Sequence, residues 1–187
     1  MNIYLDTEFE GLWENSKLIS LGMISEDNKE IYVEFNDIDI DNQDDWIKQN
    51  VLVNTVYYGN QDVSNIVDEN NYYVGNKIQI QGVLREWFRQ FDDVQIVSDV
   101  SHYDFVKLID IFGTAFDLPE NVGASCHDIN QDIASALNIS EKEAFNYNRE
   151  ELLSHADVDL IECKHNSLYD AKVIKCIYNQ IQQINLN

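Results

Sequence analysis

Ile3-Tyr4-Leu5 runs directly into Asp6-Thr7-Glu8, and this junction decides the fold class. The apolar triplet reads as a β-strand that Asp6-Thr7-Glu8 closes. On a strand, residues two apart point to the same face, so the two carboxylates can converge on one cation. Two acids ending a short apolar strand carry a desolvation cost unless something compensates them. Oxygen ligands of this kind suit Mg²⁺ or Mn²⁺. The bare D-x-E pattern weighs little by itself in a chain with 34 Asp plus Glu among 187 residues.

Outward from this strand, Leu18 to Ile24 and Glu30 to Phe35 are two longer β-rich stretches. The polar turn Ser25-Glu26-Asp27-Asn28-Lys29 joins them as an antiparallel pair. Ile31, Val33 and Phe35 alternate with Tyr32 and Glu34, the pattern of a half-buried strand. An acidic loop from Asn36 to Asp45 leads to a short helix over Trp46 to Leu52. Val53 to Asn76 has no clear period, and filling of the core's edge is expected there, with a lid over a site as the alternative. Val83, Leu84, Trp87, Phe88 and Phe91 predict a helix over Ile78 to Phe91, and Val94 to Val97 a short buried strand. Ser101 to Phe112 is helical, with Gly113 where a C-terminal cap belongs, and Pro119 lies in the following loop. Ile129, Ile133, Ala136 and Leu137 mark another helix, while Glu141 to Phe145 and Arg149 to Leu153 are short ones. The last helix, Ser167 to Ile184, lines up Leu168, Ala171, Ile174, Ile177, Ile181 and Ile184. With no repeat or linker, residues 1–187 read as one α/β domain: a mixed central sheet with three antiparallel N-terminal strands, flanked by helices.

Composition excludes some classes. A chain 44% hydrophobic and 11% aromatic can build a core, unlike a disordered acidic segment. No apolar run approaches the roughly 20 residues that span a bilayer, and no basic stretch followed by an apolar one suggests a secretory leader. Cys126, Cys163 and Cys176 form no C-x-x-C pair, so neither a disulfide framework nor a thiolate metal site is expected, and a reducing cytoplasm fits. The net charge of −22 argues against nucleic acid, whose binding usually rests on Lys and Arg neutralising phosphates.

Two further acids occur in matching contexts. Asp104 ends Ser101-His102-Tyr103-Asp104 and Asp170 ends Ser167-Leu168-Tyr169-Asp170, each at an expected helix start. Both fit a capping box, with Ser as the cap and the acid favoured by the helix dipole. A helix N-terminus is equally a rigid place from which to aim a carboxylate at a metal. His165 shares a site with Asp170 only if it precedes the helix, since five residues along a helix turn it about 140° away at roughly 100° per residue. His102, His127 and His155 read as ordinary surface or core residues.

In this order the pieces resemble the DEDDh superfamily of 3′→5′ exonucleases, which have an RNase H-like fold. Asp6-Thr7-Glu8 matches the first motif. Ser98 to Asp104 matches the second, which ends in an Asp opening a helix. His165-Asn166-Ser167-Leu168-Tyr169-Asp170-Ala171 matches the third, H-x-A-x-x-D-A, with Ser167 in place of the first alanine. Tyr4 to Phe9 followed by Leu18-Ile19-Ser20-Leu21-Gly22 looks most like the small bacterial exoribonucleases of the RNase T-like, mycobacterial type. Many members carry His-Asn where this chain has Asp99-Val100, which makes Asp99 a rival to Asp104. Asp104 is preferred because it holds the family's position relative to the helix.

The resemblance implies that Asp6, Glu8, Asp104 and Asp170 hold two Mg²⁺ or Mn²⁺ ions and that His165 is the general base activating water. Thr7 and Phe9 would flank the terminal nucleotide. The implied reaction releases nucleoside 5′-monophosphates from single-stranded RNA 3′ ends, with DNA as the alternative substrate. A homodimer is an open expectation. A non-enzymatic reading, an acidic DNA mimic that occupies a basic protein's groove, rests on the charge and the run from Asp37 to Asp45. In the enzymatic reading, bound cations supply the positive potential that the surface lacks, and Lys142, Arg149, Lys164, Lys172 and Lys175 form a small basic rim.

Overall fold

The computed structural model describes residues 1–13, 15–153 and 164–185. His155 and Cys163 lie outside the described residues. Three strands, β1 (Asn2–Phe9), β2 (Leu18–Ser25) and β3 (Glu30–Phe35), form an antiparallel ladder in which Asp6 faces Gly22 and Glu8 faces Ser20. The apolar β4 (Tyr72–Gly75) adds parallel to β3; β5 (Val94–Ser98) and then β6 (Val122–Asp128) extend the other side in parallel. The result is a six-stranded mixed sheet of order β4-β3-β2-β1-β5-β6.

Helices cover both faces. Ile3, Leu5, Leu21, Met23, Ile31 and Val33 pack against α2 (Lys77–Phe88) and α3 (Ser101–Phe112). Tyr4, Ile24 and Val97 pack against α4 (Ile129–Leu137), α5 (Glu141–Phe145) and α6 (Ser167–Asn185). A further short helix, α1 (Asp45–Asn50), packs Ile47 against Ile19 and Ile38. The α/β class, the three N-terminal strands and the helical C-terminal half agree with the sequence. No helix among the described residues is long and apolar enough to cross a membrane.

Two expectations change, while the Val53 to Asn76 stretch fills the core's edge as expected. Strand β3 is buried on both faces, not one, because Ile66, Val67 and Leu168 close over Tyr32. The Val53 to Asn76 stretch builds that cover with three-residue 3₁₀ turns at Val63–Asn65 and Glu69–Asn71 before entering β4. Strand β6 occupies a stretch read as loop. Its Gly123, Ala124 and Ser125 give no alternating signal, and as an edge strand it buries little.

Candidate metal centre

The site forms where the C-terminal end of β1 meets the starts of α3 and α6. Pleating sends Thr7 to one face of the sheet and Asp6 and Glu8 to the other. Gly22, opposite Asp6, is the point of closest approach: a Cβ there would stand 2.3 Å from Leu168 N and 2.4 Å from the Ser167 carbonyl carbon. This bare backbone lets the first turn of α6 rest on β2, beside β1, and brings Asp170 to Asp6.

The third motif is then fixed by one side chain. Asn166, buried, accepts from Leu168 N (3.1 Å) and Tyr169 N (3.4 Å), so it caps α6. Its amide donates to Asn54 O (2.8 Å) and to the Tyr32 hydroxyl (3.3 Å), while Asn54 Nδ2 donates to Lys164 O (2.9 Å). His165 therefore precedes the helix, in a left-handed conformation (φ 65°), and its backbone N–H donates to Asp170 Oδ2 at 2.9 Å. Its Nδ1 stands 3.8 Å from Glu8 Oε1, and the edge of its ring meets Trp46 at 5.2 Å between centroids. Glu8, His165 and Asp170 each offer a ligand atom within 4.8 Å of the others.

Behind this clamp lies a fully buried carboxylate, Glu34. It accepts from Val56 N and Tyr57 N, both at 2.7 Å, and from the Tyr72 hydroxyl at 3.2 Å. Burial raises its pKa, and these donors oppose the rise.

Asp104 arrives from the other side. It is 4% exposed. Oδ1 accepts from Thr7 N (3.0 Å) and Thr7 Oγ1 (2.7 Å), and Oδ2 accepts from Ser98 Oγ (2.7 Å). Thr7, expected beside a nucleotide, instead spends its hydroxyl on Asp104. Phe9 is partly exposed, with its ring 6.5 Å from that of Tyr103.

Asp99 has a different partner. Arg149 Nε donates to its Oδ2 (2.6 Å) and Nη2 to its Oδ1 (2.8 Å), and Asn130 Nδ2 adds a third bond to Oδ1 (2.9 Å). The remaining guanidinium protons go to Asn130 Oδ1 and to Ala144 O and Tyr147 O. Such a bidentate pair is strong and geometrically specific. It neutralises Asp99 and draws Arg149 out of the expected basic rim. Lys175 is buried against Ser25 O, Glu26 O and Asn28 Oδ1, and Lys172 pairs with Glu30 at 3.0 Å. Of that rim Lys164 lines the cavity beside Arg149, and it pairs with Glu150 at 3.6 Å across exposed side chains.

A cavity of about 310 Å³ exposes Asp6, Asp99, Arg149, Lys164, His165 and Asp170 together. Burial, then the charges of Asp104, Asp170 and Glu8, hold the Asp6 carboxyl well above the usual carboxylate range. Burial likewise pushes Asp104 up to about 7 against the Thr7 and Ser98 donors. Asp170 rises to about 7 through burial and the nearby Glu8. The Glu8 carboxylate, 3.8 Å from its ring, raises His165 against the burial that lowers it. Carboxylates that suppress one another's ionisation are the setting in which a divalent cation binds with proton release. Carboxylate oxygens with one imidazole are a donor set that divalent cations accept.

The structure thus brings Glu8, His165 and Asp170 within ligand distance of one another, sets Asp6 in the same cavity as His165 and Asp170, and holds Asp104 on Thr7 and Ser98, close enough for its charge to act on Asp6. Neither serine caps its helix. Ser167 bonds to Ser20 (2.9 Å), and Ser101 donates to Asp128 Oδ2 through both N (3.0 Å) and Oγ (3.2 Å). The close approach at Gly22 and the Asn166 clamp are not read from the sequence, and Arg149, expected in the basic rim, holds Asp99 instead. Asn166 had a readable signal, because Asn ranks with Ser as an N-cap. No protein-family model matches the chain, and no curated protein matches its sequence.

Proposed function

We propose that this protein is a metal-dependent 3′→5′ exonuclease of the DEDDh type on an RNase H-like fold, acting on single-stranded ends and on RNA in preference to DNA. The observation that carries the reading is the convergence of Asp6, Glu8, Asp104 and Asp170, three of them with raised pKa values, beside a histidine at the cavity wall. The sheet order, with β1 central between an antiparallel pair and two parallel strands, agrees with that fold.

The four carboxylates would hold Mg²⁺ or Mn²⁺, which supplies charge stabilisation to the attacking and leaving oxygens of an in-line displacement. The chain's own residues do the rest. His165, with Nδ1 toward Glu8, takes the proton of the attacking water at Nε2. The Asn166 clamp and the His165 N–H to Asp170 bond fix the imidazole's position, and Trp46 bounds it on one side. Phe9 lies next to Glu8 and offers the terminal base a ring to rest on. The phosphate leaves with the terminal residue, as a nucleoside 5′-monophosphate.

The test is a matched series of RNA and DNA oligonucleotides labelled at the 5′ end, incubated with EDTA, Mg²⁺ or Mn²⁺. Shortening from the 3′ end is expected only with metal, faster on RNA, and lost in Asp6→Asn and Asp170→Asn. Full activity in both variants would sink the assignment.

A further inference from the structure

A second cavity, about 450 Å³, lies between the start of β2, the end of β3, the N-terminal turn of α2 and the outer side of α3. Lys17, Lys77 and Lys107 line it. Three of the twelve cations of a −22 chain thus face one groove, against two carboxylates, Asp37 and Asp110. The groove also holds an orphaned donor. Ser16 is 5% exposed, and its Oγ has no hydrogen-bond partner among the described residues. A buried hydroxyl left unpaired is costly, and such groups are normally satisfied by protein, water or ligand.

This groove adjoins the candidate metal centre. Leu18, on its wall, pairs with Phe9, the residue after Glu8. Lys107 Nζ donates to Ser16 O at 2.6 Å and stands 5.9 Å from the centroid of the Phe9 ring, which in turn meets Tyr103. Tyr103 and Phe9 therefore form an aromatic surface beside Lys107, joined to Glu8 through the chain at Phe9. Aromatic surfaces beside a positive groove are the features by which proteins hold single strands without reading sequence.

We propose that this groove binds the backbone phosphates of a single-stranded polynucleotide just upstream of the 3′-terminal nucleotide, with Ser16 Oγ, Lys17 and Lys77 as the phosphate contacts and Tyr103 under the penultimate base, next to the Phe9 ring that receives the terminal one. This extends the exonuclease reading and rests on it for the direction of the strand. Lys17 Nζ now donates to Asp37 O at 2.7 Å, and Lys77 pairs with Asp110 at 3.4 Å across half-exposed side chains. Exposed pairs of this kind contribute little, so both ammonium groups can turn to an incoming phosphate. Lys107 holds Ser16 and stays as a wall.

The experiment measures anisotropy of 5′-fluorescein RNAs, a dinucleotide and a heptamer, in Ca²⁺ and in EDTA, over a range of KCl. The proteins are wild type, Lys17→Ala/Lys77→Ala and Ser16→Ala, each first shown by circular dichroism to fold. The double variant is expected to weaken the heptamer about tenfold more than the dinucleotide. Its log Kd against log [KCl] slope should fall by about 1.4, near 0.7 for each lost phosphate contact. Ser16→Ala should weaken the heptamer two- to threefold. Equal losses at both lengths, or no loss on the heptamer, overturn the groove. Cleavage assays run in parallel separate the two readings. A protein that cleaves nothing but shows length-dependent binding retains the groove and loses the nuclease. One that cleaves with no length effect of the lysines loses the groove alone.

Discussion

Ser101-His102-Tyr103-Asp104 and Ser167-Leu168-Tyr169-Asp170 differ at one position, and both open helices, yet the fold uses them differently. Val100 (φ 58°) stands directly before the first, and His165 (φ 65°) two residues before the second. Helix α3 begins with no side-chain cap, and its acid is buried under three donors from β1 and β5. Helix α6 is capped by Asn166, and its acid accepts from the backbone of the candidate base, His165. The same tetrapeptide thus makes one sheltered carboxylate and one that faces the cavity. What differs is the preceding loop and the strand each helix lands on. Neighbours, not the tetrapeptide, set the role.

The largest effect tests whether the two acids serve one centre. Asp104→Asn and Asp170→Asn should each lower metal-dependent cleavage by ~10³-fold or more, equivalent to about 4 kcal/mol of lost transition-state stabilisation. Activity retained in Asp104→Asn alone would make Asp104 a fastener of β1 and break the symmetry. Next in size is the seat of α6. Gly22→Ala forces a Cβ into backbone, an overpacking cost of about 3 kcal/mol. Its thermal midpoint should drop by about 6–12 °C, whereas Gly82→Ala, with open space around it, should raise it slightly. Asn166→Ala removes the α6 cap and orphans Asn54 O and Tyr32, which together cost about 2 kcal/mol. It should also lower kcat about tenfold with KM little changed, because the His165 loop loses its anchor. A kcat equal to wild type would reduce Asn166 to a cap.

Val100→Gly acts in the opposite direction. A β-branched residue at φ 58° is strained by roughly 1–2 kcal/mol, and glycine returns about half of that after its entropic cost. A rise of about 2 °C is expected, while the equivalent His165→Gly removes the candidate base and with it activity. The smallest effect concerns pH. The raised Glu34 pKa means its folded form holds a proton more tightly than the unfolded chain. That stabilisation is fully present below the ordinary carboxylate value and is lost as pH rises through the folded pKa. Glu34→Gln does not titrate, so the wild-type advantage over it should shrink between pH 4.5 and 7.5 in EDTA melting curves. A constant difference would place the Glu34 carboxylate outside the titrating set.

Much of this architecture is legible in periodicity. The strands at Leu18 and Glu30, the helix from Ser101 and the long final helix all have apolar residues at the spacing that burial demands. Strand β6 and the cover of β3 escape that logic. Edge strands bury too little to show a pattern, and β3 alternates like a half-buried strand because its polar side, Tyr32 and Glu34, is buried with hydrogen-bond partners instead of facing water. Asp6, Glu8, Asp104, Asp170 and His165 are identifiable because order and spacing along the chain place them at the ends of elements. Their partners are not, since Asp99 with Arg149 and Asn54 with Asn166 are joined across 50 and 112 residues.

The acidity that first argued against nucleic acid is a property of composition alone, and the sequence by itself determined it, together with the α/β class and the acids at strand and helix ends. Tertiary structure decided which charges remain in play. Burial and proximity raise Asp6, Asp104 and Asp170 together, Arg149 removes Asp99, and three lysines gather in one groove. Electrostatic energy depends on separation and on the surrounding dielectric, and a linear sequence contains neither.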